Sequence, residues 1–509
     1  MIRATSSFVL VGADAEVCSV EVDLSPHGLP TMGIVGLPDA AVRESAERVR
    51  TAVRNSGLDW PRSRLTVNLA PADLRKEGPV YDLPIAVATL ACAGLVPDPA
   101  DGGRILSNWF MGGELALDGT IRPVRGLIAL AVLARRRGAT GVVVPIEAAR
   151  EVSLVPGIEV FGARDLREVL DFLARREHPQ AVPETPRDPE DESRRSSDAP
   201  PIVVGQSHAV RAIEVAAAGG HNLLLSGPPG CGKTLLARSL RALLPSLTEA
   251  EAIEVAMIRS AVGFRCSATD LAIPPFRSPH HTSSAVALVG GGTHPRPGEV
   301  SLAHRGVLLL DEVAEFSRAA IDALREPLED GRVTIARAAG AVTMPASGIV
   351  VATMNPDRSR RGRRGSASIG LDRLGGPMLD RFDLQVELEP TPIERFLDEP
   401  TSVRDHEASR SAVSRARGTA LARQGTVNAE LSGSTLDDVT DLARRDRRHL
   451  VRAVADLELS ARAFERIRRL ARTIADLEGE VAVQRHHLDE AIGLRMIDRA
   501  ERFGRVSST

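Results

Sequence analysis

The stretch that decides the fold is residues 223–234, which read LLLSGPPGCGKT. A short leucine run comes first, a glycine-rich turn follows, and an apolar pattern with helical spacing resumes over residues 235–244. A strand, a loop and a helix in this order are the context that a phosphate-binding P-loop requires. The glycines let successive backbone N–H groups and the helix N-terminus point at one anion. The sequence therefore predicts a nucleotide site at the edge of an α/β sheet.

The predicted loop supplies both a lysine and a hydroxyl to the nucleotide. Its residues are Gly227, Pro228, Pro229, Gly230, Cys231, Gly232, Lys233 and Thr234. In such loops the lysine reaches the β- and γ-phosphates, and the hydroxyl after it holds Mg²⁺. The chain contains only two lysines, Lys76 and Lys233, so a compact ammonium was kept here in a protein that otherwise uses arginine. We therefore predict ATP and Mg²⁺ as cofactors.

Two further apolar runs end in polar side chains. Val307–Leu310 precedes Asp311 and Glu312, and residues 350–354 precede Asn355. Ligands of open parallel sheets bind at the carboxyl ends of the strands. We predict that Asp311 supports Mg²⁺, that Glu312 polarises the attacking water, and that Asn355 acts as the sensor 1 residue at the γ-phosphate.

The bulk composition limits the class of protein. The 509 residues are 43% hydrophobic, enough for two or three globular domains, and the net charge of -3 restricts any nucleic-acid contact to local basic surfaces. The four cysteines form no CxxC pair, which favours a reducing compartment over a disulfide framework or a zinc cluster. The most apolar stretch near the N-terminal half, residues 127–134, is too short to cross a membrane. We expect a cytoplasmic protein without membrane contact.

Patterns along the chain predict three structured regions. Residues 1–176 alternate short apolar runs with amphipathic stretches, as in an α/β domain. Residues 177–201 are rich in proline, serine and charge and predict a flexible linker. Residues 202–390 form a second α/β segment, and residues 391–509 a polar connector followed by a helical lid.

Long motifs around these sites resemble the magnesium-chelatase-like AAA+ proteins of the ComM/YifB family. They include RSPHHTSSAVALVGGGTHPRPGEVSLAHRGVLLLDEVAEF in the central segment, ARTIADLEG in the lid and GLPDAAVRESAERVRTAV near the N-terminus. The resemblance implies an AAA+ P-loop NTPase core with a C-terminal helical lid, assembled as a homohexamer. It also implies DNA as a partner, single-stranded or branched, because ComM proteins of that family are branch-migration helicases in natural transformation.

In AAA+ proteins, arginines contact the γ-phosphate, one often from a neighbouring subunit. By resemblance, Arg381 is the finger in trans, with a solvated salt bridge as the alternative. Arg462, at the start of a lid helix, is the sensor 2 candidate. The same helix offers Arg466, Arg468 and Arg469 instead.

Two elements could contact DNA. Residues 333–344 predict a β-hairpin between Glu312 and Asn355, and related helicases project such a hairpin into the ring pore. Arg337 in it is either a phosphate contact or an outward arginine of a structural hairpin. The basic run 358–370 replaces a cysteine-containing insert of many relatives, and it is either a DNA contact or a solvated loop.

The N-terminal region is similar to the Lon-protease C-terminal domain, an α/β fold like domain 2 of ribosomal protein S5. Val80 follows Lys76-Glu77-Gly78-Pro79 close to where that family has its catalytic serine, and Ile128 stands where it has its lysine. A Ser–Lys dyad needs both an oxygen nucleophile and an amine base. We therefore predict a non-proteolytic domain.

Three function classes follow. The first is a DNA-translocating ATPase, and the second is a protein-remodelling or chelatase-type motor that acts on a partner chain. The third, an active Lon-like protease, is disfavoured by Val80 and Ile128.

Overall fold

The helices and strands of the chain divide between two units. The computed structural model describes residues 2–25, 29–96, 104–175, 206–265, 270–292, 295–337, 340–355, 374–390, 406–457 and 459–495. Unit 1 comprises Met1–Pro186, Thr248–Ala272 and Thr293–Pro297, whereas unit 2 comprises Arg187–Leu247, Ile273–Gly292 and Gly298–Thr509. The predicted linker 177–201 and the basic run 358–370 lie outside the described residues, as does the start of the connector, 391–405.

Unit 1 is built on a mixed sheet whose described strands follow the order β3-β4-β2-β1-β5-β8-β9. Its strands, with the short β6-β7 hairpin and β13, are β1 (Ile2–Val11), β2 (Asp14–Ser25), β3 (Met32–Val35), β4 (Arg64–Ala70), β5 (Trp109–Met111), β6 (Glu114–Leu115), β7 (Ile121–Arg122), β8 (Gly141–Pro145), β9 (Glu159–Ala163) and β13 (Arg296–Pro297). β1 and β2 pair antiparallel, with Phe8 opposite Val17. β5, β8 and β9 are parallel, which fits their continuous apolar sequences.

Helices bury the apolar faces of this sheet. They are α1 (Ala40–Asn55), α2 (Asp82–Cys92), α3 (Arg104–Asn108), α4 (Leu127–Arg136), α5 (Ile146–Val152) and α6 (Leu166–Arg175). Every residue of α2 is buried, and α4 is buried up to Ala134 and then ends in exposed arginines. Arginines suit this end because the carbonyl end of a helix dipole is negative.

One helix of unit 1 comes from the middle of the chain. α9 (Glu249–Val262) follows the P-loop helix in sequence, yet it belongs to unit 1 together with the rest of Thr248–Ala272. It packs against α4, and the N–H of Gly126 donates to the carbonyl of Ser260 at 3.1 Å. Ala256 joins the hydrophobic core of the unit. The compact unit therefore crosses the boundary that the sequence pattern placed around residues 202–390.

Unit 2 contains a parallel sheet in the order β11-β14-β17-β10-β18. Its strands are β10 (Leu223–Ser226), β11 (Phe276–Arg277), β14 (Val307–Leu310), β17 (Ile349–Met354) and β18 (Leu384–Glu387), and the short β12 (Gly290–Gly291) also belongs to this unit. β10, β14 and β17 are buried along nearly their whole length, which explains their unbroken apolar sequences. The three predicted strands are therefore confirmed, with ends that differ by at most one residue.

Helices surround this sheet and form the C-terminal region. They are α7 (Ser207–Gly219), α8 (Lys233–Leu243), α10 (Ala285–Val289), α11 (Glu299–Leu302), α12 (Arg318–Ala323), α13 (Arg325–Asp330), α14 (Gly376–Leu379), α15 (His406–Gln424), α16 (Gly433–Thr440), α17 (Arg444–Asp456), α18 (Ala461–Glu478) and α19 (Arg485–Gly493). The predicted hairpin is confirmed: β15 (Arg332–Arg337) pairs antiparallel with β16 (Gly340–Pro345). In the described part of the chain, no helix is both long and apolar enough to cross a membrane.

A buried ion pair ties α1 to α2 in unit 1. The Asp82 carboxylate is fully buried and accepts from Arg48 Nε at 2.8 Å and Nη2 at 3.1 Å. It also accepts the Leu115 N–H at 3.2 Å. Burial raises the pKa of Asp82, and the hydrogen bonds from Arg48 and Ser45 offset part of that rise.

We predict that Asp82→Ala destabilises unit 1 by about 3 kcal/mol, because the largely buried Arg48 would lose the buried carboxylate that accepts two of its hydrogen bonds and keep the exposed Glu44, at 4.0 Å, as its ion-pair partner. Trp60 and Trp109 are the only tryptophans of the chain, and both lie in unit 1. Their fluorescence during urea unfolding therefore reports this unit alone. The exposed Glu47→Ala on α1 is the control, and an equal midpoint for both variants would contradict the prediction.

Candidate nucleotide site

Parallel pairing brings three strand ends to one edge of the unit 2 sheet. Ser226 at the end of β10 pairs with Met354 of β17, and Leu310 at the end of β14 pairs with Ala352. The N–H of Gly227 donates to the Met354 carbonyl at 3.2 Å, so the glycine-rich loop begins beside the end of β17. The predicted site residues at these strand ends are therefore neighbours.

The glycine-rich loop is close-packed and requires glycine at defined points. A Cβ on Gly227 would lie 2.8 Å from the Leu388 carbonyl oxygen, and Gly232 has a φ of 92° where it caps α8. Lys233 is buried, and its ammonium donates to the carbonyls of Gly227 and Pro228, both at 2.8 Å. Two backbone carbonyls of the loop thus hold the Lys233 ammonium in place.

The Thr234 hydroxyl lies next to the Asp311 carboxylate, 3.3 Å from Oδ2 and 3.4 Å from Oδ1. A hydroxyl and a carboxylate side by side are the oxygen ligands that Mg²⁺ takes in proteins, alongside waters and phosphate oxygens. The donor set therefore fits Mg²⁺.

Thr353 joins Asp311 to the next residue, Glu312. Its fully buried hydroxyl donates to Asp311 Oδ1 at 2.5 Å and accepts the Glu312 N–H at 2.9 Å. Sequence reasoning missed this role because a threonine inside an apolar β-branched run is typical of any strand. The signal was its place two residues before Asn355.

Glu312 adopts a conformation that non-glycine residues rarely take. Its φ is 53°, in the left-handed region, which carries a cost and concentrates at functional sites. Asn355 Nδ2 donates to Glu312 Oε1 at 3.0 Å, while Asn355 Oδ1 is buried and has no hydrogen-bond partner among the described residues. An unpaired buried amide oxygen beside a carboxylate can accept a hydrogen bond from a bound water.

Arg381 lies at the amino ends of the strands of this sheet, whereas the P-loop lies at their carboxyl ends. It precedes β18, which pairs in parallel with β10, and its carbonyl accepts from the Asn222 side chain just before β10 begins. The P-loop follows the other end of β10, about 13 Å away at 3.3 Å per residue. The structure therefore does not place Arg381 at the P-loop of its own chain.

Arg462 is near Arg381 through a shared acid. Arg381 forms an ion pair with Glu329, and Arg462 Nη2 is 3.9 Å from Glu329 Oε1. Of the alternative lid arginines, Arg468 pairs with Asp437 at 2.7 Å, away from this acid. Glu329 could not be predicted as an ion-pair partner, because no local pattern on α13 distinguishes it from the neighbouring acids.

A buried polar network connects the lid helix α18 to the amino ends of β10 and β18. Arg466 pairs with Asp383 at 3.0 Å, and Asp383 contacts His221 at 3.0 Å. Thr473 bonds the other ring nitrogen of His221 at 2.8 Å. Burial alone would raise the pKa of Asp383, but His221, Arg466 and Arg469 hold it below its usual value. A charged carboxylate therefore links the lid to the start of β18.

The Lon-like positions of unit 1 carry no reactive groups. Val80 and Ile128 are both buried and aliphatic. Lys76 is fully buried with its amine on backbone carbonyls, including Leu74 at 2.7 Å. Burial raises the pKa of the Cys18 thiol to about 12, so this neighbour of Lys76 stays protonated.

Family models match most of the chain. Residues 201–396 match "Magnesium chelatase, subunit ChlI", residues 20–148 match "Subunit ChlI of Mg-chelatase", and residues 404–495 match "Magnesium chelatase, subunit ChlI C-terminal". The three matched regions together include every predicted nucleotide-site residue.

Curated relatives match over nearly their full length. Competence protein ComM of Haemophilus influenzae is 40% identical over 497 residues, which is 96% of each chain. YifB of Escherichia coli is 41% identical, also over 96% of each chain. A shorter similarity, 27% over 130 residues, covers 25% of this chain and 22% of Lon protease 2 of Bacillus subtilis. The chain therefore belongs to the ComM/YifB family of magnesium-chelatase-like proteins.

Proposed function

We propose that the chain is an AAA+ ATPase that hydrolyses ATP at the loop 227–234 and uses the energy to move DNA. The observation that carries the ATPase is the hydrogen-bonded series Thr234, Asp311, Thr353, Glu312 and Asn355 beside the loop. Membership in a magnesium-chelatase-like family supports the same activity.

Each residue of this series has a chemical task in the proposal. Lys233 neutralises the β- and γ-phosphates, and Thr234 and Asp311 hold Mg²⁺, which neutralises charge on the phosphates when bound. Glu312 orients and polarises the attacking water. Asn355 fixes the Glu312 carboxylate and offers its unpaired oxygen to the same water. The Thr353 hydroxyl holds the Asp311 carboxylate and the Glu312 backbone in their positions.

Arg381 completes the site of a neighbouring subunit in the proposed homohexamer. Arg381 lies at the amino ends of the strands, and the length of β10 separates it from the P-loop of its own chain. This separation favours action in trans. A cavity of about 670 Å³ at these amino ends also contains Arg462, Arg466 and Arg469. We propose that Arg462 acts there beside Arg381 rather than at the P-loop of its own chain.

The proposal that the ATPase moves DNA rests on the family resemblance and on the confirmed β15-β16 hairpin, which lies between Glu312 and Asn355 in the sequence. A protein-remodelling or chelatase-type motor is the second candidate, favoured by the magnesium-chelatase family models. We assign unit 1 a non-proteolytic, Lon-like scaffold role, supported by the buried Val80 and Ile128.

The ATPase rate with and without a four-way DNA junction tests the function. We expect the junction to stimulate hydrolysis, and Glu312→Gln to lower the rate at least about 100-fold while ATP still binds. Glu315→Gln, three residues away, is the matched control. Stimulation by a partner protein and indifference to DNA would favour the second candidate, and near-normal hydrolysis by Glu312→Gln would show that Glu312 is not the residue that polarises water.

Mixed rings test whether Arg381 acts in trans. Arg381→Ala and Glu312→Gln should each be inactive alone, whereas an equal mixture should form active sites at about a quarter of the interfaces. Each such site combines an intact P-loop face with an intact Arg381 from its neighbour. A mixture of Lys233→Ala and Glu312→Gln is the control. Both residues belong to the P-loop side of the same subunit, so no interface in this mixture contains an intact site. A mixture no more active than its components contradicts action in trans.

Thr353→Val should slow hydrolysis about tenfold, because Asp311 and the Glu312 N–H each lose a hydrogen bond at nearly constant volume. Thr353→Ser keeps the hydroxyl and should stay close to wild type. Steady-state ATPase rates of the two variants give the comparison. Equal rates would exclude a positioning role for the Thr353 hydroxyl.

A further inference from the structure

Helix α17 in the C-terminal region has an unusually basic exposed face. It carries Arg444, Arg445, Arg447, Arg448 and Arg452, all exposed, although the whole chain has a net charge of -3. Of its two aspartates, Asp446 is buried and lies 3.5 Å from Arg445, and Asp456 is at the far end. The positive charge is therefore concentrated over the first nine residues of the helix.

The opposite face fixes this helix to unit 2. Leu450 is fully buried in the hydrophobic core, and Val454 packs against the same core. His449 Nε2 lies 2.6 Å from Asp489 of α19. Because these contacts hold one side of α17, the arginines lie together on its exposed side, where Arg448 Nε also donates to the Arg444 carbonyl at 3.3 Å.

Four of these arginines surround a shallow groove of about 440 Å³. Its lining consists of Arg444, Arg447, Arg448, Arg452 and the exposed Val451, so no described lining residue is acidic. Among the described residues, none of the four arginines forms an ion pair. We call this surface the arginine groove.

The arrangement opposes helix stability. Arg444, Arg448 and Arg452 are spaced four residues apart, a spacing at which like charges repel. Arg444 and Arg445 also lie in the first turn, where the helix dipole favours acidic side chains. A merely solvated face would gain from acids at these spacings, as in ordinary charged helices. A bound polyanion would offset both penalties.

We propose that the arginine groove binds the phosphate backbone of nucleic acid. Arginine presents a planar fork that matches phosphate oxygens, and four such forks along about two and a half turns can contact consecutive phosphates of one strand. No described residue of the groove's lining is an aromatic on which a base could stack, so we expect binding here to be independent of sequence. The proposal deepens the function proposed above and rests on it, since it names the surface that holds the DNA.

The test measures binding of a labelled four-way junction by fluorescence anisotropy between 50 and 200 mM salt. We expect Arg448→Ala with Arg452→Ala to weaken binding and to reduce the slope of log K against log salt by about 1.5, since each phosphate contact contributes about 0.7–0.9. Arg410→Ala with Arg415→Ala, which removes two exposed arginines from α15, is the matched control and should leave the slope nearly unchanged. Arg448→Lys with Arg452→Lys should retain most of the binding. The DNA-free ATPase rate of every variant should equal that of the wild type.

The possible failures are distinguishable. If the wild type does not bind the junction at 50 mM salt, the proposed DNA function fails, and this inference fails with it. If the wild type binds but the α17 pair and the α15 pair lose equal affinity, the arginine groove is not the contact, although the DNA function stands. If the α17 pair loses binding of a polyglutamate peptide while its junction binding is unchanged, the surface serves an acidic protein, and the inference is overturned.

Discussion

Parallel hydrogen bonding among β10, β14 and β17 sets the position of every side chain at the candidate nucleotide site. The register aligns Ser226 with Met354 and Leu310 with Ala352, so the residues that follow these strands emerge side by side. A shift of one residue would turn Thr353 toward the opposite face of the sheet and separate it from Asp311. Because these strands are apolar and buried on both faces, hydrophobic alternation does not distinguish this register, whereas the hydrogen bonds of Thr353 to Asp311 and Glu312 do.

The same sheet also separates the two halves of the proposed chemistry. The phosphate loop and the carboxylates lie at the carboxyl ends of the strands, while Arg381 and Arg462 lie at the other edge and share Glu329. Because strand length fixes this separation, our proposal assigns the two halves of one nucleotide site to neighbouring subunits. The buried Asp383 joins the lid helix to that second edge through Arg466 and His221. Buried polar contacts therefore join the helix α18 to the segment that carries Arg381.

Structural features that depend on a continuous stretch of sequence were predictable, whereas those that depend on tertiary contacts were not. Residues 223–234 and the acids after β14 are local patterns, and their strands lie where the sequence predicts them. Thr353 was overlooked because its role depends on neighbours in another strand. Glu329 could not be identified because ion-pair partners follow from tertiary contacts. The sequence of α9 does not reveal which hydrophobic core covers its buried side, because that depends on tertiary packing.

The membership of α9 in unit 1 bears on how separable the two halves of the protein are. A protease that cuts within residues 177–201 would break the chain, but the larger fragment would still contribute a helix to the core of the smaller one. Such fragments should copurify until they are denatured. A gene shortened to the ATPase half would encode a helix whose Ile253, Ala256 and Met257 have lost the hydrophobic core against which they pack in unit 1. Unit 1 is therefore not a module that recombination could add or remove by joining ends at the linker.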